Sequence, residues 1–224
     1  MISNWPCPQD GGGFADELAI VFGEAQPHRV LIVAPLFDEA NKLRHLLIEV
    51  MRRLDGAGVG AMLPDMPGTN ESFAPLAAQT LAGWRNAAAV AASHFAATHV
   101  LAVRGGALIA PALPAWHYAP VAGSAVVRQL LRSRIVAARE AGRTEDSASL
   151  SAVAAREGIE LGGYRIGAAL FGELLDAVSP AQSSARTLAQ SDIAGTAPWL
   201  RAEPGFDPAQ ADALAATILM ELRA

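Results

Sequence analysis

Four short apolar runs punctuate the first 121 residues, and each is followed by a stretch with helical spacing. Arg29–Ala34 (RVLIVA) is β-branched, continuous and bounded by Pro27 and Pro35. Such a run fits a strand buried on both faces, since crossover helices cover a parallel sheet above and below. Between residues 40 and 54 the apolar side chains fall at Leu43, Leu46, Leu47, Val50, Met51 and Leu54, and Gly56 follows as a stop. That is one stripe of an amphipathic helix. Val59–Leu63 repeats the strand pattern, and residues 75–96 read as a long helix. His99–Val103 is a third strand, turning at Arg104-Gly105-Gly106 into a helix from near Ala107. Trp116–Val121 is a fourth, followed by a basic amphipathic helix over residues 124–140. This alternation predicts a mostly parallel sheet between two helical layers, a three-layer α/β fold.

The rhythm is clearest between residues 29 and 140. The first ordered element is expected at Leu18–Phe22, a short apolar run. Past residue 142 the alternation decays. Helices are expected over 149–156 and 168–178, an irregular or strand-like piece over 159–166, and a polar stretch over 179–191. Asp207-Pro208-Ala209-Gln210 is a helix start, with an N-cap carboxylate, proline in the first turn and glutamine at the capping-box position. One domain spanning 1–224 is expected, with a reduced C-terminal part and residues 142–191 as a small lid or irregular insertion.

Composition narrows the function classes. At 52% hydrophobic and 17% charged residues, the chain can bury a core and is not a disordered linker. A net charge of −5 offers no general attraction to nucleic acid. The single cysteine, Cys7, excludes an internal disulfide framework and a cysteine-rich metal site. The N-terminus lacks the basic start and apolar core of a signal peptide. The two longest stretches free of Asp, Glu, Lys and Arg, 86–103 and 105–127, hold two histidines or three prolines and do not read as membrane spans. A cytoplasmic protein is therefore expected, with no cofactor and no metal.

The turn after the third strand carries the chemical argument. A strand, a sharp turn and a helix, with small residues flanking one side chain, is the geometry of a nucleophile elbow, usually Gly-x-Ser-x-Gly. Here the frame reads Ala102-Val103-Arg104-Gly105-Gly106. The flanks fit, but the central residue is arginine, which stays protonated and cannot attack a carbonyl. The histidines give a second test. In a triad of this type the histidine comes last along the chain. Residues 118–224 hold none; the five histidines are His28, His45, His94, His99 and His117.

Several segments in order resemble one family. Asp38-Glu39-Ala40-Asn41-Lys42-Leu43-Arg44 is similar to a Glu-Glu-x-Asn-Lys-x-Arg stretch, and Leu63-Pro64-Asp65-Met66-Pro67-Gly68 to a Leu-Pro-Asp-Leu-Pro-Gly loop. Trp84-Arg85, Val103-Arg104-Gly105-Gly106-Ala107, Trp116–Pro120, Leu130–Arg134 and Gly163-Tyr164 match further. The family is the exosortase A system-associated hydrolases of the second type, a branch of the α/β-hydrolase superfamily whose elbow also carries arginine. The resemblance covers about residues 29–178; Asp38 and Ala102 depart from the family's Glu and Gly. It implies an α/β-hydrolase-like fold and a place beside exopolysaccharide production and protein sorting.

The candidate ligand-binding residues are Arg104, Gly105, Glu39, Asn41, Lys42, Arg44 and Asp65. Arg104 at a helix mouth could clamp a carboxylate or phosphate, or pair internally with Glu39 or Asp65. The cluster from Asp38 to Arg44 follows a strand's C-terminal end, where open α/β sheets bind ligands, though acidic residues in a first turn also serve the helix dipole. Arg128, Arg132, Arg134 and Arg139 read as a solvated face, the glycine runs lack a phosphate-loop lysine, and Ser72, Ser124 and Ser133 show no paired base. Two functions follow. One is a protein with a degenerate triad that binds a small anionic or acyl ligand or a partner; the other is a true hydrolase or acyltransferase with a centre built on Glu39, Lys42, Asp65 and Arg104.

Overall fold

A computed structural model describes residues 1–9, 11–179, 184–193, 195–201 and 203–223. The elements run β1 (Ile2–Pro8), β2 (Phe14–Phe22), β3 (His28–Val33), α1 (Asp38–Gly56), β4 (Val59–Pro64), α2 (Leu81–His94), β5 (His99–Val103) and β6 (Ala115–Tyr118). They continue with α3 (Gly123–Glu140), α4 (Ser147–Glu157), β7 (Ile159–Leu161), β8 (Tyr164–Ile166), α5 (Ala168–Asp176), β9 (Ala185–Leu188) and α6 (Pro208–Leu222). The described residues form a seven-stranded sheet in the order β1-β2-β4-β3-β5-β6-β9, with β7 and β8 as a separate hairpin. From β4 to β9 every pairing is parallel; β1 and β2 join antiparallel.

Alternation along the central strands sorts side chains to two cores. Ile32, Leu101, Val103 and Tyr118 meet the apolar stripe of α1 and Leu214 and Ile218 of α6. Leu31, Val33, Val100 and Ala102 meet α2, α3 and α5 on the opposite face. Helix α2 contributes Ala87, Ala88, Ala91 and Ala92, all buried. The alanine richness is thus structural: a helix without bulk on its inner face can lie close against the sheet.

Four expectations need correction. First, the N-terminal segment is not unstructured: it forms the β1–β2 hairpin, with Trp5 and Cys7 fully buried. Met1 and Val21 exchange both backbone hydrogen bonds, so the odd-numbered residues of β1 direct their amides at β2 and the even-numbered ones face outward. Pro6 and Pro8 therefore sit where no donor is needed, which is how a strand tolerates them. Second, residues 75–96 do not form one helix. A 3₁₀ turn at Leu76–Ala78 precedes α2, which is N-capped by the Thr80 hydroxyl. Third, no α-helix follows the elbow. Arg104–Leu108 is a five-residue 3₁₀ turn, and Pro111 and Pro114 end the segment soon after it. Fourth, the polar stretch 179–191 contains β9, which completes the sheet beside β6; residues 180–183 lie outside the described residues. The excursion from 142 to 191 otherwise builds α4, the β7–β8 hairpin and α5, with α4 and α5 in contact with α3 and with each other.

Candidate active-site region

Arg104 lies at the C-terminal tip of β5 with φ 53°. A non-glycine residue in this left-handed region carries strain of order 1–3 kcal/mol, and it is held there by close packing on both sides. A Cβ on Gly106 would lie 2.4 Å from the Ala34 carbonyl oxygen and 2.5 Å from that of Val33, so only glycine lets the turn settle onto β3. The sharp turn after the strand is present, with Arg104 at its strained position and a 3₁₀ segment after it in place of a helix. The Arg104 guanidinium donates from Nε to Glu39 Oε2 and from Nη2 to Glu39 Oε1, both at 3.0 Å, and from Nη1 to the Ala119 carbonyl at 3.1 Å. The Trp199 ring lies 4.2 Å from its central carbon. Side-chain exposure is 15% for Arg104 and 8% for Glu39. A bidentate pair this dry, closed on one face by an aromatic ring, is an internal assembly. Trp199 comes from the segment just before the last helix.

The other candidate residues separate into two clefts. The larger, about 320 Å³, opens at the C-terminal ends of β3 and β4 and includes Asn41, Arg44 and Asp65. The smaller, about 160 Å³, includes Glu39 and Gly105. Leu36, Phe37 and Tyr164 line both and form the partition between them. Lys42 belongs to neither, its ammonium lying 2.9 Å from Asp38 across one helical turn. The alternative centre of Glu39, Lys42, Asp65 and Arg104 therefore does not converge. Of the two readings of Arg104, the internal pair with Glu39 is the one present, and the turn after it is a five-residue 3₁₀ segment in place of a helix mouth.

The larger cleft is apolar with a polar rim. Phe37, Met66, Leu76 and Trp84 form its floor and walls. Trp84 is fixed by donating Nε1–H to the Pro67 carbonyl at 2.9 Å, and Phe37 packs edge-on to Tyr164. Phe37 itself, which lines the cleft, has φ 57° and ψ −133° at the entry to α1 and is strained like Arg104. On the rim, Asp65 is buried and accepts from Asn70 Nδ2 at 2.6 Å. Burial raises its carboxyl above the ordinary aspartate range, and the Asn70 hydrogen bond and the Arg44 charge only partly oppose this. Arg44 stays 3.7 Å from Asp65 and is 37% exposed, so its fork is not committed to that carboxylate.

Behind the rim, Ser72 Oγ accepts from Gly68 N and donates to Glu17 Oε1 at 2.6 Å. Ser72 thus has an acidic partner where none was expected, yet no histidine joins it. Burial raises the Glu17 carboxyl too, with Asp65 adding to the effect. The one serine–histidine contact among the described residues is Ser179 Oγ to His117 Nδ1 at 3.4 Å. His117 is buried, its basicity lowered by that burial, and its Nε2 has no partner among the described residues. Neither it nor Ser179 borders a described cleft. Among the described residues no group of three or more metal-ligating side chains assembles, and no helix is long and apolar enough to cross a membrane.

Phe37, Tyr164, Met66, Trp199 and Glu17 escaped the sequence reading of the site. Phe37 and Met66 carried a signal, since each sits in a turn directly after a buried strand. Trp199 and Glu17 carried none, because their partners are distant in sequence.

No protein-family profile and no curated protein matches the chain. Solved structures do. The chain is similar to the esterase Est1E from Butyrivibrio proteoclasticus, described with ferulic acid bound, at 13% identity over 99% of this chain and 100% of that one, with a TM-score of 0.59. It is also similar to a thermophilic esterase from Thermogutta terrifontis, described with malate bound, at 12% identity over 100% and 98%, with a TM-score of 0.58. A protein from Agrobacterium vitis S4 classed provisionally as a hydrolase is matched at 17% identity over 62% of this chain and 60% of its own length, with a TM-score of 0.46. The chain has an α/β-hydrolase-like fold.

Proposed function

We propose that this hydrolase-fold chain binds an anionic or acyl ligand without hydrolysing it, in the cytoplasm, as part of an exosortase and exopolysaccharide system. The observation that carries the reading is Arg104 at the elbow, engaged bidentately by Glu39 and covered by Trp199. Nucleophilic catalysis needs a group that can be deprotonated and a base to take its proton. Arginine supplies neither, no histidine follows His117 along the chain, and an indole covers the guanidinium. The slot is filled by protein, so an ester carbonyl has no place to sit against it.

The larger cleft is the part of the molecule suited to a small ligand, being concave, mainly apolar and rimmed by a few polar groups. From the excursion after α3, Tyr164 contributes to its wall. The place in an exosortase system rests on the sequence resemblance. The test is direct. Purified protein is incubated with short-chain nitrophenyl esters and with a fluorophosphonate probe, and no turnover and no labelling are expected. Turnover abolished by a single serine substitution would overturn the reading.

A further inference from the structure

Resting on the reading of this chain as a ligand binder, we propose that the larger cleft takes a monocarboxylate with an apolar body, its head on Arg44 and Asn41 and its body against Phe37, Met66, Leu76 and Trp84. The size of the body follows from the space. At the ~30 Å³ that a water molecule occupies in the liquid, the 320 Å³ cleft accommodates about ten non-hydrogen atoms. That matches a medium-length acyl chain or a single substituted ring.

The polarity of the head follows from Arg44. Two other arginines on this side of the sheet are committed: Arg104 to Glu39, and Arg53 to Glu49 and Asp212. Arg44 is not, its nearest carboxylate oxygen lying 3.7 Å away. Asp65 has meanwhile satisfied one oxygen with Asn70. A planar fork with free donors, at the rim of an apolar cleft, is complementary to a carboxylate in two parallel hydrogen bonds. Asn41, exposed on the same face of α1 one residue short of a turn earlier, can donate a third. Phe37 and Trp84 give the body a rigid apolar wall.

Asp65 sets the pH dependence. The charged and polar groups around it are Arg44 from α1, Glu17 from β2, and Asn70 and Glu71 from the loop after β4. Buried and raised, its carboxyl is neutral over a wider range than a surface aspartate. As the pH rises and it ionises, it draws Arg44 inward and repels the ligand head. Binding of an ionised carboxylate therefore weakens as Asp65 ionises.

The experiment titrates octanoate, octanol and octylamine into the full chain, following Trp fluorescence and calorimetric heat at several pH values from the ordinary carboxylate range upward. Octanoate should bind at least tenfold more tightly than octanol. Arg44→Gln should weaken octanoate tenfold or more and leave octanol within twofold, with Arg44→Lys in between because it keeps the charge and loses the fork. Asp65→Asn should tighten octanoate and flatten its pH profile. If octanol binds as well as octanoate and Arg44→Gln changes neither, the carboxylate assignment falls while ligand binding stands. If octylamine binds best and Asp65→Asn abolishes it, the head is a cation and the assignment is again overturned. If none of the three binds, the ligand-binding reading falls with it.

Discussion

Replacing Arg104 by methionine isolates the assembly that fills the elbow. Methionine keeps the length and apolar bulk of the side chain and removes three donors and one charge. Glu39 would then be a carboxylate with 8% of its side chain exposed and no cation facing it. Stranding one member of a buried pair costs about 3–5 kcal/mol, and the lost contact between guanidinium and the Trp199 ring adds about 1 kcal/mol. The pair retains some solvent contact through Arg104, which favours the lower end, so a loss of about 4 kcal/mol is expected. With a urea m-value of ~2–3 kcal/mol/M, the unfolding midpoint should fall by about 1.5 M. Glu39→Gln should cost less, because the amide oxygen still accepts from the guanidinium and the Ala119 carbonyl is untouched. The double variant Arg104→Met/Glu39→Leu removes both charges and should recover to within about 1 kcal/mol of the parent, since apolar isosteres often replace buried pairs without loss. Urea unfolding followed by tryptophan fluorescence measures all four proteins. A loss below about 1 kcal/mol in Arg104→Met, the value of an exposed pair, would refute the reasoning. So would single-variant losses that simply add in the double variant.

Arg104→Ser restores the usual elbow residue and should gain no esterase activity on nitrophenyl esters, since no histidine lies where it could take the proton. Gly106→Ala should destabilise by at least about 2 kcal/mol in the same urea assay, because its methyl group would collide with the Ala34 and Val33 carbonyls. Cys7, fully buried and with its thiol pushed up to about 12 by burial and the nearby Glu17, should resist a thiol reagent in the native protein and react at once in denaturant. Glu17 has a folded-state pKa above its unfolded one, so the native state binds more protons and stability should fall as the pH rises from the ordinary glutamate range through the raised value. Glu17→Gln, whose amide oxygen can still accept from Ser72, should flatten that slope in melting temperatures measured from pH 4 to 8.

What could be read from the sequence was what depends on local pattern. Past their first one or two residues, β3, β4 and β5 are apolar because both faces are covered, and α1 shows its buried stripe at regular spacing. The two strands that were missed lie at or near the sheet's edges. β1 has a proline at every second position near its end, and β9 has two exposed residues in four, so neither carries enough buried surface to mark it. The 3₁₀ turn after the elbow was read as a helix because the closing prolines come several residues later. At the site, the elbow and its missing base were visible from Arg104 and the histidine positions. The grouping was not. Asn41, Arg44 and Asp65 share a cleft because β3 and β4 are neighbours, and Glu39 turns the other way because it is two positions from Asn41 on a helix. Trp199 reaches Arg104 only through the fold.

The row of outward-facing groups on β1 has a consequence for how the molecule behaves at high concentration. The edge of an open sheet is a template on which a second chain can lay down a strand, and polymerisation begins there. Along β1 the outward amides belong to the even-numbered residues, and positions 6 and 8 are prolines. An incoming strand would find donors at residues 2 and 4 and then none, a ladder too short to hold register. The cost to the native fold is nil, since those amides had no partner to lose. Substituting Pro6 and Pro8 by valine would leave the hairpin intact and complete the ladder, turning an edge that repels its own kind into one that recruits it.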